Sequence, residues 1–143
     1  MLNHKQKRAH TRVQMNIAQK IEKYGWTLIS VFNPDTGCSF VYTVGLEHRY
    51  EHPELIVLDL PVQTAADILQ HLVEMVAAGR QFRVGDTPVD LPIDPRLSFF
   101  EVESRHFAEY LNVARWFYGN GDFRALQVAP AEPMEGVYLL MNE

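Results

Sequence analysis

At 143 residues, with 47% apolar and 22% charged side chains and a formal net charge of −5, the chain has the make-up of one ordinary globular domain able to bury its own core. It holds no apolar run long enough to span a bilayer and no charged stretch leading into an apolar segment and cleavage site, so neither a membrane-embedded nor a secreted protein is expected. Its single cysteine, Cys38, cannot close an internal disulfide; a reducing compartment, and hence a cytoplasmic location, is the expectation.

Charge is placed unevenly along the chain. Lys5, Lys7, Arg8, Arg12, Lys20 and Lys23 stand against Glu22 alone in residues 1–23, whereas the remainder is strongly acidic. Residues 1–10 read as a basic flexible arm ahead of a single domain at 11–143. Nucleic acid is not the expected partner, because the acidic body offers no basic surface to continue the patch. Val13, Ile17 and Ile21 recur at helical spacing from about Thr11 to Lys23, and Gly25 stops the run. WTLISVF (26–32) and CSFVYTVGL (38–46) are rich in β-branched and aromatic residues and flank Asn33-Pro34-Asp35-Thr36-Gly37, which predicts a hairpin.

ELIVLDLP (54–61) is a nearly continuous apolar run, as in a strand covered on both faces. Thr64-Ala65-Ala66-Asp67 resembles a shortened capping box, and Ile68, Leu69, Leu72, Met75 and Val76 follow at helical spacing to Gly79. Short strand-like runs surround Gly85-Asp86. Pro92 and Pro95 then bracket a loop before the strand-like LSFFEVE (97–103). Ser104 can cap a third helix with an apolar stripe of Phe107, Leu111, Ala114, Phe117 and Tyr118, ended by Gly119. FRALQVA (123–129) reads as a last core strand.

This order predicts an α+β domain: a curved, mostly antiparallel sheet or small split-barrel-like core with two or three packed helices. It resembles the order in split-barrel flavin-binding proteins, an analogy of fold alone.

The polar insert between FVYTVGL and ELIVLDL holds the densest chemistry. His48 and His52 would share a helix face, but Pro53 disfavours helical geometry at His52, and on a strand four residues separate them by roughly 13 Å, too far for one metal ion. No metal site is expected. Glu47, Glu51 and Glu54 could repel one another enough to raise one pKa, yet Arg49, His48 and His52 are interleaved with them, as in a solvated, locally neutralised loop. Cys38 has no neighbouring cation in sequence and reads as inert and buried. Ser39 and Thr43 lie on a strand whose hydroxyls can hold a phosphate, and with His52, Tyr24 and Trp26 they form the candidate ligand-binding set. Trp116, Phe117, Tyr118 and Phe123, flanked by Arg115 and Arg124, read as core packing. No nucleotide fingerprint follows Val44-Gly45-Leu46.

Tyr24-Gly25-Trp26, FVYTVGL, His52-Pro53-Glu54-Leu55-Ile56-Val57, Leu60-Pro61, the helix ending at Gly79, and Ala125-Leu126-Gln127, in this order, resemble the family catalogued as domain of unknown function 4262, found mainly in bacteria. The resemblance spans about Tyr24 to Gln127. It implies a shared fold and no established reaction, and places His52-Pro53-Glu54 in the family pattern. Val128-Ala129-Pro130 and the tail GVYLLMNE depart from that pattern.

Two functions follow as expectations. The first is a non-enzymatic binding module that meets a protein partner; the second is an enzyme binding a flavin- or phosphate-type anion, with Arg96 or Arg124 beside the candidate set. Metal-dependent hydrolysis stands behind both. The cofactor and oligomeric state are open: an exposed edge strand or the apolar tail Val137–Met141 could pair between subunits or equally complete the monomer's own sheet.

Overall fold

The computed structural model describes residues 4–35, 37–88, 90–91, 96–119, 121–132 and 139–140, the side chains of residues 4–11 and 38 excepted. The expected loop between Pro92 and Pro95, most of the tail Val137–Met141 and the side chain of Cys38 fall outside that description.

Five strands form one sheet: β1 (Thr27–Asn33), β2 (Cys38–Val44), β3 (Glu54–Leu58), β4 (Leu97–Glu101) and β5 (Ala125–Pro130). Their order is β1-β2-β3-β5-β4, with β3 and β5 parallel and the other neighbours antiparallel. The domain is therefore α+β with a mostly antiparallel sheet, as expected. Among the described residues the sheet is open, with β1 and β4 as its two edges, and does not close into a barrel.

The described helices are α1 (His4–Tyr24), α2 (Leu46–Tyr50), α3 (Val62–Ala77), α4 (Phe107–Tyr110) and α5 (Asn112–Phe117), with a 3₁₀ turn at Ser104–His106. On one face of the sheet Leu69, Leu72, Val73 and Val76 of α3 pack on Val41, Leu55, Val57, Phe99 and Val128. On the other, Ile21 of α1 and Leu111 and Ala114 beside α5 pack on Phe40, Tyr42, Ile56 and Leu58. Covered on both sides, β3 is buried at every position, which is why its sequence does not alternate.

Local chemistry sets the joints. Asn33 Oδ1 accepts from the Asp35 amide, and Gly37, at φ 71°, donates its amide to the Asn33 carbonyl, which turns β1 into β2. Gly79, at φ 105°, ends α3 with the Gly79 and Arg80 amides turned back onto the Val76 and Met75 carbonyls.

Four local expectations change. The helix expected from Thr11 begins at His4, within the stretch read as an arm. α3 begins at Val62, ahead of the supposed capping box, and Asp67 accepts from the Gln63 side chain instead of capping. The run around Gly85 is not a strand, although Gly85 and Asp86 exchange backbone hydrogen bonds with Phe99 of β4. The third helix is broken at Leu111 (φ −122°, ψ 39°), whose side chain remains in the core while the Val113 amide is satisfied by Tyr42 Oη at 3.1 Å.

Candidate functional site

The polar insert folds as α2 and encloses one of its own carboxylates. Gly45, at φ 117°, turns the chain out of β2, and a Cβ there would stand 2.6 Å from the Gly25 carbonyl oxygen and 2.9 Å from Trp26 Cα. Only glycine permits that approach of two backbones. The turn aims the first amides of α2 at Glu54, the opening residue of β3, which is completely buried. Glu54 Oε2 accepts from the Gly45 amide at 3.1 Å and the Glu47 amide at 3.2 Å. Oε1 accepts from the Leu46 amide at 3.2 Å and Thr43 Oγ1 at 2.8 Å. Tyr118 Oη completes the shell with a short hydrogen bond to Oε2.

Five donors thus meet one carboxylate. Burial pushes the Glu54 carboxyl up to about 7, and the hydrogen bonds from Tyr118, Thr43 and the α2 amides pull against that rise. Burial and the neighbouring Glu54 charge push the Tyr118 phenol well above its ordinary value, so tyrosine remains the donor. The solvated-loop expectation therefore fails for Glu54, because its partners come from β2, α2 and α5's C-terminal end and exclude water together. Glu47 behaves differently: its carboxylate forms a forked pair with the exposed Arg124 guanidinium at 2.9 and 2.7 Å, and that pairing holds its pKa down.

His52 is buried and engaged at both ring nitrogens. The Phe82 amide donates to Nε2 at 2.9 Å, which leaves Nδ1 to carry the proton it donates to the Pro53 carbonyl at 2.8 Å. Burial lowers its pKa, in keeping with that neutral tautomer. Neither nitrogen is left for a metal. His48 instead lies on α2 with its ring against Phe117. Among the described residues no group of three or more His, Cys, Asp or Glu is placed to hold a metal ion.

Among the described cavities none is bordered by all five residues singled out from sequence. Thr43 Oγ1 gives its proton to Glu54 and accepts from the Leu55 amide at 2.9 Å. Ser39 Oγ donates to the Leu60 carbonyl at 3.4 Å. Tyr24 and Trp26 border a recess with Lys20, Thr27, Leu28 and Gln70, at the free edge of β1. His52 alone borders the largest described cleft, of about 630 Å³.

That cleft lies where β4 ends and β3 and β5 begin. Phe82, Val102, Phe107 and Phe123 give it apolar surface, and Arg83, Glu101 and Arg124 are among its charged lining groups. Val84, also on its wall, is 58% exposed. Arg83 donates from its guanidinium to Gln81 Oε1 at 3.2 Å and from its backbone amide to Asp86 Oδ2 at 2.8 Å. The cleft is not legible in the sequence because its walls come from four separated segments; of its lining, Phe123 reads there as core packing around a turn, and His52 and Arg124 as members of an anion site with Thr43 and Ser39, which do not border it.

No curated protein and no solved structure matches the chain. Among the described residues no helix is long and apolar enough to cross a membrane. The family model described as "Domain of unknown function (DUF4262)" matches residues 20–137, a span that contains the Gly25–Gly45 contact, the Glu54 shell and the whole cleft. The chain belongs to that DUF4262 family.

Proposed function

We propose that the domain is a non-enzymatic binding module, and that its cleft beside His52 takes a short protein segment with an apolar anchor side chain and charged flanks. The observation that carries this reading is Val84, 58% exposed on the wall of a cleft lined by phenylalanines and next in sequence to Arg83, an exposed residue whose guanidinium bonds to Gln81 and to no described carboxylate. A valine on such a rim serves no core, and desolvating it beside an aromatic floor is what an apolar anchor gains from. The volume falls in the usual range for ligand pockets. Arg83 and Glu101 offer charges of opposite sign, which suits a peptide better than a simple anion.

Recognition is favoured over catalysis by the state of the lining groups. His52, the residue there best suited to proton transfer, has both nitrogens engaged within the fold. The anion-binding alternative relied on Thr43, whose hydroxyl is held by Glu54 and Leu55.

Selection of a displayed random-peptide library on the protein tests the reading. Enriched peptides are expected to share a large apolar residue and to bind about tenfold more weakly to the Arg83→Glu/Val84→Glu double variant, with its melting temperature unchanged. Enrichment indifferent to those substitutions, or none at all, would overturn it. So would a small molecule found by native mass spectrometry to accompany the protein and leave on denaturation.

A further inference from the structure

The two edges of the sheet are treated differently. Along β4 the chain from Gly85 to Thr87 acts as a cover: the Gly85 amide donates to the Phe99 carbonyl at 2.9 Å, the Phe99 amide to the Asp86 carbonyl at 3.2 Å, and Ser98 Oγ to the same Asp86 carbonyl at 3.0 Å. β1 pairs only with β2, and among the described residues no backbone hydrogen bond from beyond that hairpin reaches Leu28 to Phe32. Edge strands are ordinarily guarded by charge, proline or a bulge. TLISVFN has no charge and no proline, and its pairing with β2 runs unbroken from Thr27↔Val44 to Asn33↔Cys38.

Two further observations give this edge a partner. An antiparallel pairing of β1 with a second β1, centred on Ser30, sets Leu28 opposite the partner's Phe32 and Ile29 opposite the partner's Val31, so apolar residues meet apolar ones while Ser30 meets its own copy and Thr27 meets Asn33. Phe32 is 62% exposed, a large ring with no core to fill. In the same register that ring arrives beside Leu28, at the recess of about 440 Å³ that Leu28 forms with Trp26 and Gln70. Residues opposite one another across a ladder share a face of the sheet, so the ring lies on the Leu28 and Gln70 side of a recess that Lys20 and Tyr24 of α1 also border.

We propose that the chain forms a two-fold dimer through β1, making one continuous sheet of ten strands in which Phe32 of each copy seats in the Trp26–Leu28–Gln70 recess of the other. The strand carries no charge to repel its copy, and the symmetry closes the interface after two subunits, leaving β4, already covered, as the outer edge. β1 and β4 are at opposite ends of the sheet, so the dimer leaves the cleft beside Glu101 and Arg124 free.

Sedimentation velocity at about 100 µM tests it, a concentration at which even weak specific dimers assemble. The wild-type chain should sediment as a dimer. Ser30→Lys and Ser30→Glu each place like charges across the two-fold axis and should be monomeric, whereas an equimolar mixture of the two should recover a dimer. Phe32→Ala, at an exposed position that leaves the monomer intact, should weaken association about tenfold. A monomeric wild-type chain overturns the proposal, as does a dimer unchanged by Ser30→Lys and Phe32→Ala. Failure of the mixture to pair would overturn the Ser30-centred contact.

Discussion

Glu54 and the cleft are neighbours, joined through Pro53 and through the hydrogen bond from the Glu54 amide to the Arg124 carbonyl, yet they use polar groups in opposite ways. Around Glu54 five donors converge on one buried carboxylate, and the result is a rigid knot between β2, α2, β3 and the end of α5. In the cleft Arg83, Val84 and Glu101 are exposed and contribute little to packing. The contrast teaches that chemistry-bearing residues in sequence divide by partner supply: where donors are already assembled a carboxylate holds the fold, and where partners are missing the side chain can meet a ligand.

Substitutions should separate the two regions by the size of their effect. Glu54→Ala leaves the Gly45, Leu46 and Glu47 amides and two hydroxyls facing a cavity, and should cost about 3–5 kcal/mol in urea unfolding. Gly45→Ala should cost about 2–4 kcal/mol, because its Cβ cannot coexist with the Gly25 carbonyl at 2.6 Å and its φ of 117° strains any side chain. His52→Ala should cost about 2–3 kcal/mol by leaving the Phe82 amide and the Pro53 carbonyl unmatched. Arg83→Glu with Val84→Glu, at exposed positions, should move stability by no more than about 0.5 kcal/mol.

Titration offers a finer separation. The Glu54 carboxyl is raised from 4.5 to about 7, so the folded chain holds that proton more tightly than the unfolded chain does. Its contribution is fully present below pH 4.5 and is lost as pH rises through about 7. His52, lowered from 6.5, acts with the opposite sign: its contribution is present above pH 6.5 and is lost as pH falls. Wild-type stability minus that of Glu54→Gln should therefore decline between pH 4.5 and about 7, measured as urea midpoints; a flat difference would show that Glu54 keeps its ordinary pKa.

Much of the fold was legible in local pattern. The apolar run at 54–61 announced a central strand, the spacing of Leu69, Leu72 and Val76 announced α3, and the Pro-Gly turn announced the β1–β2 hairpin. The break at Leu111 was not legible, because Tyr42, which satisfies the freed Val113 amide, lies 71 residues from it in sequence. Glu54 was misread for the same reason: its charged sequence neighbours suggested water, while Tyr118, the partner that seals it, is 64 residues away. One signal could have found it. A glutamate that opens a strand buried at every following position, after a Val-Gly-Leu turn, has little access to solvent whatever charges precede it. The cleft left no such mark, since loop 81–84, the end of β4 and the start of β5 meet only in three dimensions.

The most direct test of this division of labour is a nuclear magnetic resonance titration of the isotope-labelled protein with N-acetyl-tryptophan amide, a probe that carries one apolar anchor and a peptide-like backbone. Amide shift changes are expected at residues 81–84, 101–104 and 123–126, with Gly45, Leu46 and Glu47 unmoved. Shifts centred on those three amides, or shifts that avoid the cleft, would contradict that division.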